Sequence, residues 1–147
     1  MSGDFRREFV DTNVLVYALD GSAGTKHTMA RDLLQRVWQD RTGCLSVQVL
    51  QEFYVTVTRK IPRPIPSPEA LELVHDLMAW TVHTPDVGDV EAAIRLHQAL
   101  QFSFWDAMVL HSALRLQCAV LWSEDLTHGQ QVQDLVVMSP FRLGDEG

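Results

Sequence analysis

The chain has 147 residues, of which 46% are hydrophobic, and it carries a formal net charge of −7. This length predicts one domain with a buried core, and this composition excludes a globally disordered chain. No apolar stretch approaches the length of a membrane span and the polar N-terminus does not look like a secretory signal, so we expect a cytoplasmic protein without membrane contacts.

Short apolar runs, which are typical of buried strands, alternate along the chain with longer segments of helical periodicity. The first predicted elements are a strand at Glu8–Asp11, a helix at Val14–Leu19, a helix at Thr25–Asp40, a strand at Gly43–Ser46 and a helix that runs to Lys60. Ser46 is a suitable N-cap for the last of these helices. The prolines between Ile61 and Pro68 forbid a helix interior and predict an extended connector.

The same alternation continues after the proline-rich connector. Ser67 as cap and Pro68 at the first helical position begin a helix that runs to about Trp80. The predicted inward stripe of this helix consists of Leu71, Val74, Leu77 and Met78. The remaining predicted elements are a strand at Thr81–His83, helices at Val87–Leu100 and Ser103–Gln117, and strands at Ala119–Trp122 and Leu135–Met138.

This order of elements indicates the fold class. Strands separated by helices need crossover connections, which favour a mainly parallel sheet with helices on both faces. The sequence contains no internal repeat and no interdomain linker. We therefore predict one α/β domain over residues 1–147. Its architecture would be an α/β/α sandwich around a central sheet of about five short strands.

Four carboxylates follow apolar runs or lie in the opening turns of helices: Asp11, Glu52, Asp106 and Asp125. Strand ends and the starts of the following helices share one edge of a parallel sheet, so all four are expected to face a single crevice. Acids about 5 Å apart repel by about 3 kcal/mol per pair at an effective dielectric of about 20. A divalent cation would relieve this repulsion. Oxygen ligands favour Mg²⁺ or Mn²⁺, and no cysteine or histidine spacing suggests zinc.

Each acid also has a purely structural interpretation. Asp106 is the third residue after Ser103 and could complete a capping box. Asp11 could cap the helix behind it, and Asp125 could be an ordinary loop acid. Glu52 is harder to explain in this way, because its helical neighbours are apolar and a charge is costly there. The joint occurrence of the four acids is more specific than any one of them.

Four segments surround these acids: Val10–Ala18, Leu45–Tyr54, Leu100–Met108 and Leu121–Leu126. Together and in this order they resemble the PIN-domain nucleases, and among them the VapC-type toxins. The resemblance covers nearly the whole chain and implies a single PIN-like domain with a parallel α/β/α sandwich. It also implies hydrolysis of RNA phosphodiester bonds by a Mg²⁺-dependent endoribonuclease, with Mn²⁺ as a substitute.

The resemblance assigns roles to individual residues. The acidic quartet corresponds to Asp11, Glu52, Asp106 and Asp125 as catalytic residues, with Asp11 and Asp106 as the core metal ligands. The other two would complete the metal shell directly or through water. Glu124 adjoins Asp125 and is an alternative fourth acid; Asp125 is favoured because it stands two residues after Ser123. The polar residues expected to orient these carboxylates are Thr12, Asn13 and Ser123.

The resemblance further implies partners and biological context. The expected partners are an RNA substrate, a cognate antitoxin protein and a second copy of the chain in a homodimer. The net charge of −7 argues against RNA unless a metal cancels part of it. The basic group Arg59, Lys60 and Arg63 is either a solvated helix end or a set of phosphate contacts.

Two alternative functions remain open at this stage. The first is a PIN-fold binding module without catalysis, which need not bind Mg²⁺. The second is a phosphatase with Asp11 as nucleophile. Such phosphatases carry a second acid two residues on, where Asn13 stands here, and a helper lysine is scarce because Lys26 and Lys60 are the only lysines.

The cysteines and tryptophans lie in predicted strands and helices. Cys44 and Cys118 are expected to be small buried residues rather than partners in a disulfide. The tryptophans are expected in the core or in an interface rather than as platforms for RNA bases: Trp38, Trp80, Trp105 and Trp122.

Overall fold

The computed structural model describes residues 6–143, and within this range the chain forms six strands and six α-helices. The strands are β1 (Glu8–Val10), β2 (Gly43–Ser46), β3 (Thr81–His83), β4 (Val120–Trp122), β5 (Gln131–Val132) and β6 (Leu135–Met138). The helices are α1 (Thr12–Tyr17), α2 (Thr25–Asp40), α3 (Val47–Arg59), α4 (Ser67–Leu77), α5 (Val87–Leu100) and α6 (Phe104–Arg115). The ends of the domain predicted over residues 1–147 lie outside the described residues.

The strands form one sheet in the order β3-β2-β1-β4-β6-β5. In the middle of the sheet Phe9 of β1 lies opposite Cys44 of β2 and Leu121 of β4, and both pairings are parallel. β5 alone pairs antiparallel, with β6, among the described strands. The prediction of an α/β fold with a mainly parallel sheet is confirmed. The sheet has six described strands rather than about five, because β5 has two residues and is too short to give a periodic signal.

The central strands are buried on both faces, which requires helices on both sides of the sheet. Phe9 and Val10 point to opposite faces, and both are 0% exposed. On one side α5 packs against α6, which also contacts β2 and β4, while α1 packs on α2 and α3. Both cysteines are buried as predicted and form no disulfide. None of the helices in residues 6–143 is long and apolar enough to cross a membrane.

The predicted inward stripe of α4 is wrong in two positions. Leu71 and Met78 are 64% and 58% exposed, whereas Ala70 and Leu77 are buried. The helix also ends at Leu77, sooner than expected. The apolar residues of this segment form two adjacent stripes with the same helical spacing, so periodicity alone does not decide which one faces α3. The stripe that contains the small Ala70 packs inward.

Candidate active site

The structure brings the four predicted acids to the carboxyl edge of the sheet. Asp11 directly follows β1, and its backbone N–H donates to the Trp122 carbonyl of the neighbouring β4 at 2.9 Å. Asp125 follows the end of β4, Glu52 lies in α3, and Asp106 lies in the first turn of α6. The charges of Asp125 and Glu52 both repel Asp11 and both repel Asp106. The four carboxylates are therefore electrostatic neighbours.

Asp11 is buried and is 6% exposed. Its carboxylate caps α1 by accepting from the Thr12 backbone N–H at 2.8 Å, and it also accepts from the Ser123 hydroxyl at 2.8 Å. Burial raises the pKa of Asp11 from 3.8 to about 6, against the lowering effect of these two hydrogen bonds. The charges of Asp125 and Glu52 raise it further. The interpretation of Asp11 as a helix cap is thus correct. Capping alone does not explain why a buried carboxylate stands at this position, where the charges of Asp125 and Glu52 repel it.

The other buried acids of the described chain have cationic partners, unlike Asp11. Glu8 is also 6% exposed, and burial raises its pKa, yet hydrogen bonds from Arg36, Thr42 and Trp122 bring that pKa below its usual value. Asp89 is 4% exposed, and its pKa is lowered despite burial by the Asp86 backbone and neighbouring histidines. The donors around Asp11 are neutral. Burial without a cation is what distinguishes this carboxylate.

Asp106 is half-buried at the start of α6. The Ser103 hydroxyl caps this helix by accepting from the Asp106 backbone N–H at 3.1 Å. The Asp106 side chain does not return a bond to the Ser103 backbone, as a reciprocal capping box requires. Burial raises the pKa of Asp106 above its usual range, and the charges of Asp125 and Glu52 act in the same direction. A hydrogen bond with the Ser103 side chain lowers the pKa of Asp106 but does not outweigh these effects, so the carboxylate is held at the helix end within reach of the other acids' charges.

Glu52 is held by donors from two helices. It accepts from the Thr12 hydroxyl at 2.9 Å and from the Gln48 side-chain amide at 3.3 Å. The same Gln48 nitrogen also donates to the Trp105 carbonyl at 3.3 Å, which ties α3 to the start of α6. The Gln48 oxygen Oε1 is buried and has no hydrogen-bond partner among the described residues. It can accept a bond from a water molecule at this edge of the sheet.

The neighbouring acids Glu124 and Asp125 have different surroundings. The Asn13 amide donates to Asp125 at 3.0 Å, and the Asp125 backbone N–H donates to the Ser123 hydroxyl at 3.2 Å. Glu124 instead accepts from the Tyr17 hydroxyl at 2.8 Å and forms an ion pair with Lys26. The structure therefore places Asp125, and not Glu124, against the other three acids.

The sequence-based interpretation included Thr12, Asn13 and Ser123 but missed two supporting contacts. Gln48 stands one helical turn before Glu52, and this i,i+4 spacing of an amide and an acid was a usable signal. The Lys26–Glu124 ion pair joins residues 98 positions apart, for which the sequence has no local signal.

The donor set fits a hydrated divalent cation. As the side chains are oriented, no three histidine, cysteine, aspartate or glutamate residues within 6–143 are close enough to bind one ion together. Mg²⁺ commonly uses one or two carboxylates and keeps several waters, so it does not need three protein ligands at once. Four neighbouring carboxylates, of which Asp11 and Asp106 are repelled by the other two, and the unsatisfied Gln48 oxygen match such an ion with its water shell.

The protein is an open α/β domain with an acidic crevice at the carboxyl edge of its sheet. Domains of this class bind ligands at the ends of their strands. The sequence profile described as PIN domain matches residues 9–129, a range that contains all four acids. The chain therefore belongs to the PIN domain family. No curated protein sequence matches the chain.

Several solved structures share this fold. A toxin–antitoxin complex from Klebsiella pneumoniae superposes with a TM-score of 0.68 at 16% identity, covering 90% of this chain and 97% of that chain. VapC20 from Mycobacterium tuberculosis, a sarcin–ricin loop cleaving toxin, gives 0.58 at 19% identity, covering 80% and 89%. DNA-bound VapBC from Salmonella typhimurium gives 0.63 at 14% identity, covering 92% and 98%. At these identities the comparison establishes a common fold.

Proposed function

We propose that the protein is a Mg²⁺-dependent endoribonuclease and the toxin of a toxin–antitoxin pair. The observation that carries this proposal is the group of four acids in which Glu52 and Asp125 repel both Asp11 and Asp106, with Asp11 buried among neutral donors at a pKa of about 6. A structural role would not need this arrangement, because Glu8 shows how the same fold stabilises a buried acid with an arginine. The family membership and the toxin–antitoxin structures of the same fold support the proposal.

Asp11 and Asp106 would hold the cation, because the pKa of each is raised in the absence of a positive charge. Glu52 and Asp125 would complete its surroundings directly or through water. When bound, the cation supplies stabilisation of a phosphoryl oxygen and lowers the pKa of a bound water. Mn²⁺ has similar preferences for oxygen ligands and would substitute for Mg²⁺.

The residues that are not core ligands would handle the proton. Glu52 is oriented by Thr12 and Gln48, and Asp125 by Asn13, so both carboxylates are held in defined positions. Either one can accept the proton of an attacking water, as a general base does. No nucleophilic side chain is required for hydrolysis in one step.

The basic group Arg59, Lys60 and Arg63 is the proposed backbone contact of the RNA. All three residues are exposed and form no ion pair among the described residues. Arg59 follows Glu52 by two helical turns, so it lies on nearly the same face of α3, about 10 Å further along the axis. An RNA strand whose scissile phosphate lies at the four acids would therefore pass this basic group.

The antitoxin would occupy an apolar groove between α1, α2 and α4, whose lining includes none of the four acids. This groove has a volume of about 630 Å³, and its lining includes Leu15, Leu19, Leu34, Trp38, Leu73 and Leu77. Its size and apolar walls suit a short amphipathic segment of a partner protein. We also propose that two copies of the chain form a homodimer, for which light scattering of the purified protein is the test.

A cleavage assay with single substitutions tests the catalytic proposal. Purified protein should cut single-stranded RNA with Mg²⁺, and a chelator should stop it. Asp11→Asn and Asp106→Asn should each lower the rate by about 100-fold or more, because each removes a charge that faces the cation. Asp32→Asn is the matched control, since Asp32 is an exposed helical acid outside the site. If folded Asp11→Asn cleaves RNA as fast as the parent, the proposal is wrong.

The two alternatives make different predictions. A binding module would not lose its function in chelator, and metal titration would show no Mg²⁺ site. A phosphatase would need a cationic helper near Asp11, but Lys26 is already paired with Glu124. Both carboxylate oxygens of Asp11 also accept hydrogen bonds, which lowers their nucleophilicity.

A further inference from the structure

Trp105 is the most exposed tryptophan of the chain, and it immediately precedes Asp106. It is 62% exposed, whereas Trp80 and Trp122 are 9% and 8% exposed and Trp38 is 42% exposed. Trp105 therefore does not lie in the core of this chain, and the expectation of an interface position stays a prediction. An indole with this exposure leaves most of its apolar surface in water, where a ligand or a partner could cover it.

Contacts with neighbouring residues hold Trp105 in place. Its ring packs edge-on against Phe104, with centroids 5.0 Å apart and planes at 71°. Its carbonyl accepts from the Gln48 amide, which also donates to Glu52. The backbone of Trp105 thus lies beside two of the four acids, because it directly precedes Asp106 and is bonded through Gln48 to Glu52. The exposed ring extends from this point, at the border of the acidic crevice.

The charge around the crevice limits how a nucleic acid can be held there. The chain has a net charge of −7, and the nearby Lys26 is paired with Glu124. Close to the acids, contacts with phosphates must therefore be weak without the cation. Stacking of a base on an aromatic ring needs no positive charge, and it tolerates any base because every base has a π-face.

We infer that Trp105 stacks on an unpaired base next to the scissile phosphate and so favours single-stranded RNA segments; this inference rests on the proposed function. Bases in duplex RNA are already stacked on their neighbours, whereas those in loops and single strands can be splayed onto an aromatic side chain. A second copy of this chain is the competing occupant of the exposed ring. It is less favoured because Trp105 directly precedes the acidic Asp106 beside the other acids, and interface cores are depleted of charge.

The test compares Trp105→Leu with Ile94→Ala, since Ile94 of α5 is another partly exposed apolar side chain, 41% exposed, and lies in neither the acidic crevice nor the proposed antitoxin groove. With the full chain and a short single-stranded RNA, Trp105→Leu should raise KM by about 5- to 150-fold, the range measured for loss of one base–aromatic stack. Trp105→Phe should retain part of the affinity. Ile94→Ala should have the KM of the parent.

A second measurement does not depend on cleavage. In chelator, adding the same RNA should quench indole fluorescence of the parent and of Ile94→Ala, but not of Trp105→Leu. Circular dichroism and light scattering should show that Trp105→Leu keeps the fold and the oligomeric state of the parent.

The outcomes separate the inference from the proposed function. If the parent cleaves RNA and folded Trp105→Leu has an unchanged KM and unchanged quenching, stacking is refuted and the proposed function stands. If Trp105→Leu dissociates into monomers and regains the parent KM at high protein concentration, the ring belongs to an interface between copies instead. If the parent neither binds nor cleaves RNA, both proposals fail.

Discussion

Replacing Asp11 by asparagine should stabilise the metal-free protein at neutral pH, although it removes a proposed catalytic residue. Asparagine can keep both hydrogen bonds of this position. Its oxygen accepts from the Thr12 backbone, and its amide donates to the Ser123 hydroxyl, which can also act as an acceptor. What the substitution removes is the charge that burial and the neighbouring acids disfavour.

The size of the effect follows from the pKa of Asp11. Folding raises this pKa from 3.8 to about 6, and each pKa unit corresponds to about 1.4 kcal/mol. The protonated side chain therefore contributes about 3 kcal/mol of stability below pH 3.8 relative to its ionised form. This contribution is lost as the pH rises through about 6, because the folded-state pKa lies above that of the unfolded chain.

Urea unfolding in chelator from pH 4 to pH 8 measures this difference directly. At pH 4 the parent and Asp11→Asn should have similar free energies of unfolding. At pH 8 the variant should be more stable by about 3 kcal/mol, which is a rise in Tm of about 6–12 °C for a chain of this size. Titrating groups outside the acidic cluster contribute equally to both proteins and cancel in the difference, while Glu52 and Asp125 also lose the repulsion of Asp11 in the variant, which acts in the same direction at pH 8. A difference that does not change with pH, or a variant less stable than the parent at pH 8, would refute the reasoning.

Three further predictions concern metal binding, the fourth acid and the basic group. Adding Mg²⁺ should raise the Tm of the parent but not that of Asp11→Asn, because only a protein that binds the ion when folded gains stability from it. Asp125→Asn should reduce cleavage by about 100-fold or more, whereas Glu124→Gln should reduce it by less than about 10-fold, because Glu124 faces Lys26 and not the other acids; equal losses in assays at saturating Mg²⁺ would contradict this assignment. Lys60→Ala should lower the salt slope of RNA affinity by about one, measured by fluorescence anisotropy across salt concentrations, and an unchanged slope would exclude Lys60 from the phosphate contacts.

Much of the fold was predictable because its elements carry strong local signals. The bounds of α2, α5, β2, β3 and β6 agree with those predicted from apolar periodicity and caps. The exceptions are positions where tertiary contacts decide. The two-residue β5 exists because it pairs with β6, and the inward face of α4 depends on which of two equivalent stripes α3 accepts.

The acids of the site were predictable for a different reason. In a parallel sheet, residues that follow strands meet at one edge, so Asp11 and Asp125 could be placed together from their positions alone. The surroundings of each carboxylate could not be predicted in the same way. Burial of any ionised acid costs free energy, so the sequence indicates that a buried acid needs a partner. Only the structure shows that Glu8 forms an ion pair with Arg36 and that Glu124 forms one with Lys26. The choice between Glu124 and Asp125 depended on such a contact.

The hydrogen bonds around the acids explain how the metal-free protein tolerates the cluster. Thr12 and Gln48 hold Glu52, and Asn13 holds Asp125, so two of the four charges are fixed by donors from different elements. These donors are neutral, so they orient the two carboxylates without cancelling their charges, and both charges still raise the pKa of Asp11. An arginine in their place would stabilise the fold by pairing with the acids, as Arg36 does with Glu8. It would also remove the negative potential that a divalent cation needs, so the neutral donors keep the site ordered and still able to bind one.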